Sequence, residues 1–212
     1  MKIAVLSESP ADEAAIFVLL RGLRDVEMNR VVLPTPKTRG WQAVMSLVRP
    51  TLIHLHYRSD ADGLVVTVDS DESPVHQRAH EQAGRPDASC RLCELRRVVA
   101  TVQAELRARQ GRGPLKVAVG LAVPAVEAWY LARRDPHVTE SAWIQALQAR
   151  TLPYTKNELK RKVYGTDHPS LALEEECAVG LARQLVETNS LPLLERLFPN
   201  GFGTLAADVR GW

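Results

Sequence analysis

Cysteine is scarce in this chain: three residues in 212, an odd number, of which Cys90 and Cys93 form a C-x-x-C pair. That usage excludes the disulfide framework of a small secreted domain and leaves metal binding or redox chemistry as the work of the pair. An excess of one charge is also lacking. Twenty-seven Lys and Arg stand against twenty-five Asp and Glu, a formal charge of +2, so no whole-molecule field argues for a nucleic-acid or membrane partner. Any such case has to rest on local clusters. No apolar run approaches the length of a membrane span, and MKIAVLSESP meets Glu8 and Pro10 too early for a signal-peptide core. The expectation is a cytoplasmic protein with no membrane partner. Repeats and low-complexity tracts are missing too.

What is present is the ordinary globular balance, 45% hydrophobic and 25% charged, at a length that suits one core with a helical extension rather than two independent domains. Lys2 to Leu6 read as a buried strand, and Ile16, Leu19, Leu20 and Leu23 mark one face of a helix over residues 11–23. A short strand over 30–33 ends in the breaker-rich PTPKTRG. Trp41, Val44, Met45, Val48, Leu52 and Leu55 then keep helical spacing, with a kink expected at Pro50. Leu64 to Val68 form an apolar, β-branched run of the kind covered on both faces, with Asp69 at its end. Residues 70–89, rich in Pro, His, Gly and charge, read as a long irregular insertion. From Cys90 onward Leu92, Leu95, Val99, Val102 and Leu106 predict a long helix stopping at Gly111 to Pro114. A strand over 115–123 follows, then a helix begun by Pro124 and running through Glu127 and Trp129. After Thr139 several short helices are expected, with Thr155 and Glu158 as a capping box and Ser170 as a further N-cap. Strand-helix alternation over residues 1–134 implies an α/β, mostly parallel sheet covered by helices, with residues 135–212 as a helical extension packed on it. On such a sheet ligands bind beyond the carboxyl ends of the strands.

Three acidic residues fall where strands end. Glu8 follows the first, Asp69 and Asp71 follow the third, and a D-x-D pair in turning backbone can aim two carboxylates at one hard cation such as Mg2+ or Mn2+. Asp12 takes the N3 position if Ser9 caps the helix and Pro10 is its first residue, so a capping role is expected for it. Glu127 sits in a first helical turn, favourable against the macrodipole in any protein. Trp129 and Tyr130 beside it read as packing groups.

The segments SESPADE and VTVDSDE resemble the Toprim domain of primases, topoisomerases and overcoming-lysogenization-defect nucleases, whose signature is a glutamate in one loop and D-x-D in another. With PAVEAWYLA they are similar to an uncharacterised bacterial Toprim-like family suspected of defence roles. The resemblance covers roughly the first 134 residues; Ser9 stands where the Toprim signature usually has glycine. It implies a Toprim-like, Rossmannoid core and phosphoryl transfer on nucleic acid. Glu8 would be metal ligand or general acid/base, Asp69 and Asp71 ligands, Glu127 a further site residue, and an ATPase or other defence-system protein a partner. The expected enzyme is thus a metal-dependent nuclease or nuclease-like defence component. A haloacid-dehalogenase-type phosphatase also uses D-x-D after a strand, but on its first strand and with a later lysine and acidic pair. A catalytically silent interaction module is the third reading.

Two further clusters carry chemistry. Within the insertion and just after it, His76 and His80 give H-x3-H and Cys90 and Cys93 give C-x2-C, four ligands suited to a closed structural zinc site. Lys156, Lys160, Arg161 and Lys162 form a basic run able to meet nucleic-acid phosphates, although such a run is more often a solvated helical face. His54 and His56, two apart on a predicted helix, cannot share a face and are read as structural.

Overall fold

The computed structural model describes residues 1–24, 26–34, 40–77, 79–82, 87–109 and 111–212, with residues 81 and 82 described by their backbone alone. Four parallel strands form the sheet: β1 Lys2–Leu6, β2 Asn29–Val31, β3 Gly63–Asp69 and β4 Lys116–Ala122, in the order β2-β1-β3-β4. All seven residues of β3 are buried, as a central strand covered on both faces must be. β2 is short and at the edge, and the chain turns outward at once, leaving Val32 82% exposed. Most of PTPKTRG lies outside the described residues.

Helix α1, Pro10–Gly22, connects β1 to β2, while α2, Gly40–Arg58, leads from β2 to β3 and α4, Arg91–Glu105, from β3 to β4. Because β2 and β3 lie on opposite sides of β1, right-handed crossovers put α1 on one face and the mutually packed α2 and α4 on the other. This is a doubly wound, Rossmann-like arrangement. Its connections leave in opposite directions between β1 and β3, the place where such sheets open a crevice. Helix α2 runs unbroken over Pro50. The residue is exposed, so the carbonyl that loses its N–H partner there faces water.

The second half is helical and belongs to the same core. After α5, Val126–Tyr130, come α6 Glu140–Gln148, α7 Lys156–Tyr164, α8 Leu171–Glu187, α9 Leu191–Leu197, a π-helical turn at Pro199–Gly203 and α10 Thr204–Arg210. Helix α8 lies along α1, where a Cβ on Gly22 would come 2.6 Å from Val186. The π-helical turn packs backbone to backbone on β4: a Cβ on Gly201 would sit 2.4 Å from the Leu121 carbonyl oxygen. Buried Glu140 anchors that turn, accepting the Asn200 and Gly201 backbone N–H groups at 3.1 and 3.0 Å. Trp129 and Tyr130 are fully buried packing groups. No helix among the described residues is long and apolar enough to cross a membrane.

Several boundaries differ from the sequence reading. Helix α4 ends at Glu105, not near Gly111. Past it the Arg107 N–H donates to the Tyr57 hydroxyl, and the Arg109 and Arg112 side chains donate to carbonyls of residues 59–61 and 113, drawing the chain down to the sheet. Pro124 lies before α5 rather than in it, since Ala125 is the N-cap. Within the insertion, residues Ala79–Gln82 form a short helix, α3. The Thr155–Glu158 capping box and the Ser170 cap are as the sequence predicts.

Candidate functional site

Register brings the acidic residues together. Leu6 pairs with Val66, so Glu8, two residues on, comes level with the end of β3 and its Oε1 accepts the Asp69 N–H at 3.0 Å. The carboxylates of Glu8, Asp12, Asp69, Glu127 and Glu174 line one cavity of about 220 Å³ with Lys156, Lys160 and Tyr164. Asp69 is fixed at both oxygens: Oδ1 accepts the Val126 N–H at 3.1 Å and Oδ2 the Lys156 ammonium at 2.7 Å. Ser9 caps α1, its Oγ accepting the Asp12 N–H at 3.1 Å. The Asp12 carboxylate, hydrogen-bonded by the Ser9 side chain, also lies buried in the cavity, a placement that N3 spacing alone does not reveal.

Negative charge there exceeds what the lysines neutralise. Burial, then the nearby Asp69 carboxylate, pushes Glu8 up to about 7. The same two causes push Glu127 up to about 7. Burial and the charges of Asp69 and Glu127 hold Asp12 well above the usual carboxylate range. Near neutral pH the cavity therefore holds protons that a bound cation can replace.

Asp71 does not line this cavity. It borders a neighbouring one of about 540 Å³ with Arg91, Trp143, Thr155 and Lys156. Its turn hangs from the β4–α5 connection, the Asp71 N–H donating to the Pro124 carbonyl at 2.9 Å, with φ at +47°. That conformation costs a non-glycine residue on the order of 1 kcal/mol. Two cations hold it: Asp71 Oδ1 accepts from Lys156 at 2.6 Å and Oδ2 from Arg91 Nη1 at 2.6 Å. Burial opposes ionisation of Asp71, but Lys156 and Arg91 outweigh it and keep the carboxyl below its ordinary value. Lys156 is held above the ordinary lysine range, since Asp69 and Asp71 together overcome its burial. Between the two aspartates of D-x-D, where the sequence reading puts a divalent ion, the structure puts this ammonium.

The histidines and cysteines converge closely. Cys93 Sγ lies 3.3 Å from His76 Nδ1 and 3.8 Å from His80 Nδ1, and Cys90 Sγ lies 3.8 Å from His76 Nδ1. A tetrahedral zinc site with sulfur and nitrogen ligands has S···N edges of roughly 3.5 Å. Among the described residues this is the only set of three or more His, Cys, Asp and Glu drawn closely enough to hold a metal, its ligand atoms all within 4.8 Å. Glu8, Asp69 and Asp71 do not form such a set. Cys90 is the N-cap of α4, yet its side chain makes no capping bond.

With this geometry fixed, comparison was made with protein-family models, curated proteins and solved structures. None of them matches the chain.

The basic run is not a free cationic face. Lys156 is held by Asp69 and Asp71, Lys160 lies 3.7 Å from Glu174, Arg161 pairs with Asp167 at 2.6 Å and Lys162 with Asp135 at 2.6 Å. His56 is buried with Nε2 2.7 Å from the Arg107 carbonyl oxygen. Sequence reasoning missed Arg91, Tyr164 and Glu174. One signal was available for Lys156: a cation at the first position of a helix opposes the macrodipole, and a broken local rule marks a site to inspect.

Proposed function

We propose that the chain is a metal-dependent phosphoryl-transfer enzyme, a nuclease or nuclease-like defence component of Toprim-like type acting on nucleic acid. The observation that carries this reading is the cavity at the β1/β3 crevice, where five carboxylates face two lysines. The donor set fits Mg2+ or Mn2+, which take oxygen ligands and tolerate few carboxylates with several waters. The carboxylates outnumber the lysines there, and burial first and Asp69 second push Glu8 and Glu127 up to about 7; a bound ion would neutralise that charge.

Glu8 and Asp69 would hold the ion, with Asp12 and Glu127 behind them, and Asp71 would act through Lys156 and Arg91. When bound, the ion supplies positive charge against phosphoryl oxygens, where charge gathers in the transition state. The chain's own residues do the rest. Val126 N–H and Lys156 orient Asp69, and Glu8, held near neutral in its proton affinity, is placed to accept or return a proton at its carboxylate. To meet a phosphate, Lys156 would have to leave Asp69 and Asp71, and Lys160 its looser partner Glu174. The His76, His80, Cys90 and Cys93 group would carry a structural zinc that orders the insertion and takes no part in the chemistry.

The test is hydrolysis of single- and double-stranded DNA and RNA and of small phosphate esters in Mg2+ or Mn2+, alongside calorimetric metal titration. Metal-dependent cleavage abolished by Asp69→Asn and Glu8→Gln is expected. Metal binding without hydrolysis of any substrate would favour the interaction module, a reading to which the Lys156 ammonium between Asp69 and Asp71 lends some support. Absence of both would overturn the proposal.

A further inference from the structure

The two clusters are joined by one residue. Arg91 stands between the cysteines, as the first residue of α4, and its Nη1 donates to the Asp69 carbonyl at 2.7 Å and to Asp71 Oδ2 at 2.6 Å. Its guanidinium lies 5.3 Å from the centre of the Trp41 ring and its side chain is 19% exposed. We propose that a zinc ion on His76, His80, Cys90 and Cys93 fixes Arg91 as the clamp that shapes the Asp69–Asp71 turn. This deepens the reading above and rests on its zinc assignment.

Three observations carry it. The S···N distances of 3.3 to 3.8 Å bracket the edge of a zinc tetrahedron. The N-cap position of α4, where Ser, Thr, Asp or Asn would bond the first turn, is given to a thiol that faces His76 and makes no cap. His80 has a carboxylate on its far side, Asp87 Oδ2 3.8 Å from Nε2, longer than a hydrogen bond but close enough for a small shift to make it the outer partner that metal-bound imidazoles commonly have. With Cys90 one residue before Arg91 and Cys93 two after, a bound metal would lock the backbone from which the guanidinium projects. The Asp71 turn, in its left-handed conformation, is tied at its backbone to Ala122 and Pro124 and at its carboxylate to that guanidinium and Lys156.

One contact must change on loading. Arg96 Nη1 lies 3.2 Å from His76 Nε2. Arginine has no acceptor, so Nε2 accepts there and Nδ1 bears the proton. Were Nδ1 to bind zinc, its proton would have to leave, the neutral ring would carry its N–H on Nε2, and the Arg96 donor could no longer bond there.

The experiment uses the full chain purified without added metal. Elemental analysis should find about one zinc per chain, and cobalt exchanged for it should show tetrahedral ligand-field and thiolate charge-transfer absorption. Hydrogen exchange is then followed at the amides of residues 69–73 in the native protein, after chelation, and in Arg91→Ala. Chelation and Arg91→Ala should each speed exchange there by at least about tenfold, the factor set by losing a charge-assisted hydrogen bond. Arg91→Ala should keep its zinc, and Arg91→Lys should recover part of the protection. Because Arg91→Ala leaves all four ligands in place, failure of a cysteine variant to fold would not shield the proposal. A chain with no zinc, or with a Cys90–Cys93 disulfide in its place, would overturn both the zinc assignment and the clamp. Zinc present, with exchange at residues 69–73 indifferent to its removal and to Arg91→Ala, would overturn the clamp alone.

Discussion

The His/Cys group and the acidic cavity lie at the same end of the sheet and answer the same question, how to hold a cation, in opposite ways. The first draws four ligand atoms within 4.8 Å. The second spreads five carboxylates around a cavity and balances them with Lys156, Lys160 and protons on Glu8 and Glu127. A closed shell of soft ligands suits a resident ion whose role is to hold the chain, whereas oxygen ligands around open volume suit an ion that comes with substrate. What separates the two is the charge balance in the absence of metal, more than the residue types.

The largest effect should come from removing the thiols of the His/Cys group. Cys90→Ser with Cys93→Ser is expected to cost about 3 kcal/mol or more, lowering the melting temperature by roughly 10 °C, while zinc added to wild type during calorimetric unfolding leaves the transition unchanged. If the double variant melts with wild type, the contrast between the two clusters fails. Next in size is Lys156→Met, which leaves Asp69 and Asp71 facing each other without their shared cation. For a pair this accessible the loss should be about 1–2 kcal/mol in urea unfolding, and Mn2+ should restore part of it by taking the ammonium's place.

The pH dependence sharpens the comparison further. Glu8 and Glu127 bind protons up to about 7 in the folded chain, against ordinary values near 4.5. Across that window these two groups hold more protons in the folded state than in the unfolded one, and Asp12 acts in the same direction, so metal-free stability should fall as pH rises from about 4.5 to about 7. Glu127→Gln should flatten that slope, and Mg2+ should stabilise more at pH 8 than at pH 5.5. Urea midpoints at three or four pH values would check the sign; a slope unaltered by the substitution would remove the proton-for-metal exchange. The smallest effect is local. Ser9→Ala should cost about 1 kcal/mol through the lost cap on α1, whereas Asp12→Asn keeps the backbone donor to Ser9 and should alter metal titration with little change in stability.

The parallel sheet and its helices were legible because each strand is a short apolar run and each helix shows its buried stripe. The His/Cys group was legible because its four residues lie within eighteen positions, at spacings that only a few local turns have to satisfy. The convergence of Glu8 with Asp69 could be expected from strand ends alone. The counter-charges could not: Lys156 reaches Asp69 from eighty-seven residues away, and no local pattern encodes that pairing. The end of α4 at Glu105 was hidden for a related reason, since Leu106 continues the apolar spacing while Tyr57 and the carbonyls of residues 59–61 capture the chain. Asp12 takes the place beside the Ser9 cap that its N3 spacing suggests, while its burial among other carboxylates depends on distant residues that no local pattern encodes.

Lys156, Lys160, Tyr164 and Glu174 all reach the cavity from helices α7 and α8, in the half of the chain that follows residue 134. The crevice is thus assembled from both halves and cannot be inherited by either one alone. A fragment cut at residue 134 would strip α1 of the α8 side chains packed on Gly22 and leave Asp69 and Asp71 facing water without their lysine. Recombination that exchanged the C-terminal helices between related proteins would have to carry a lysine at this one helix start, or change both aspartates together. Substitutions at positions 69, 71 and 156 should therefore be coupled in stability, the three together costing less than the sum of the single changes.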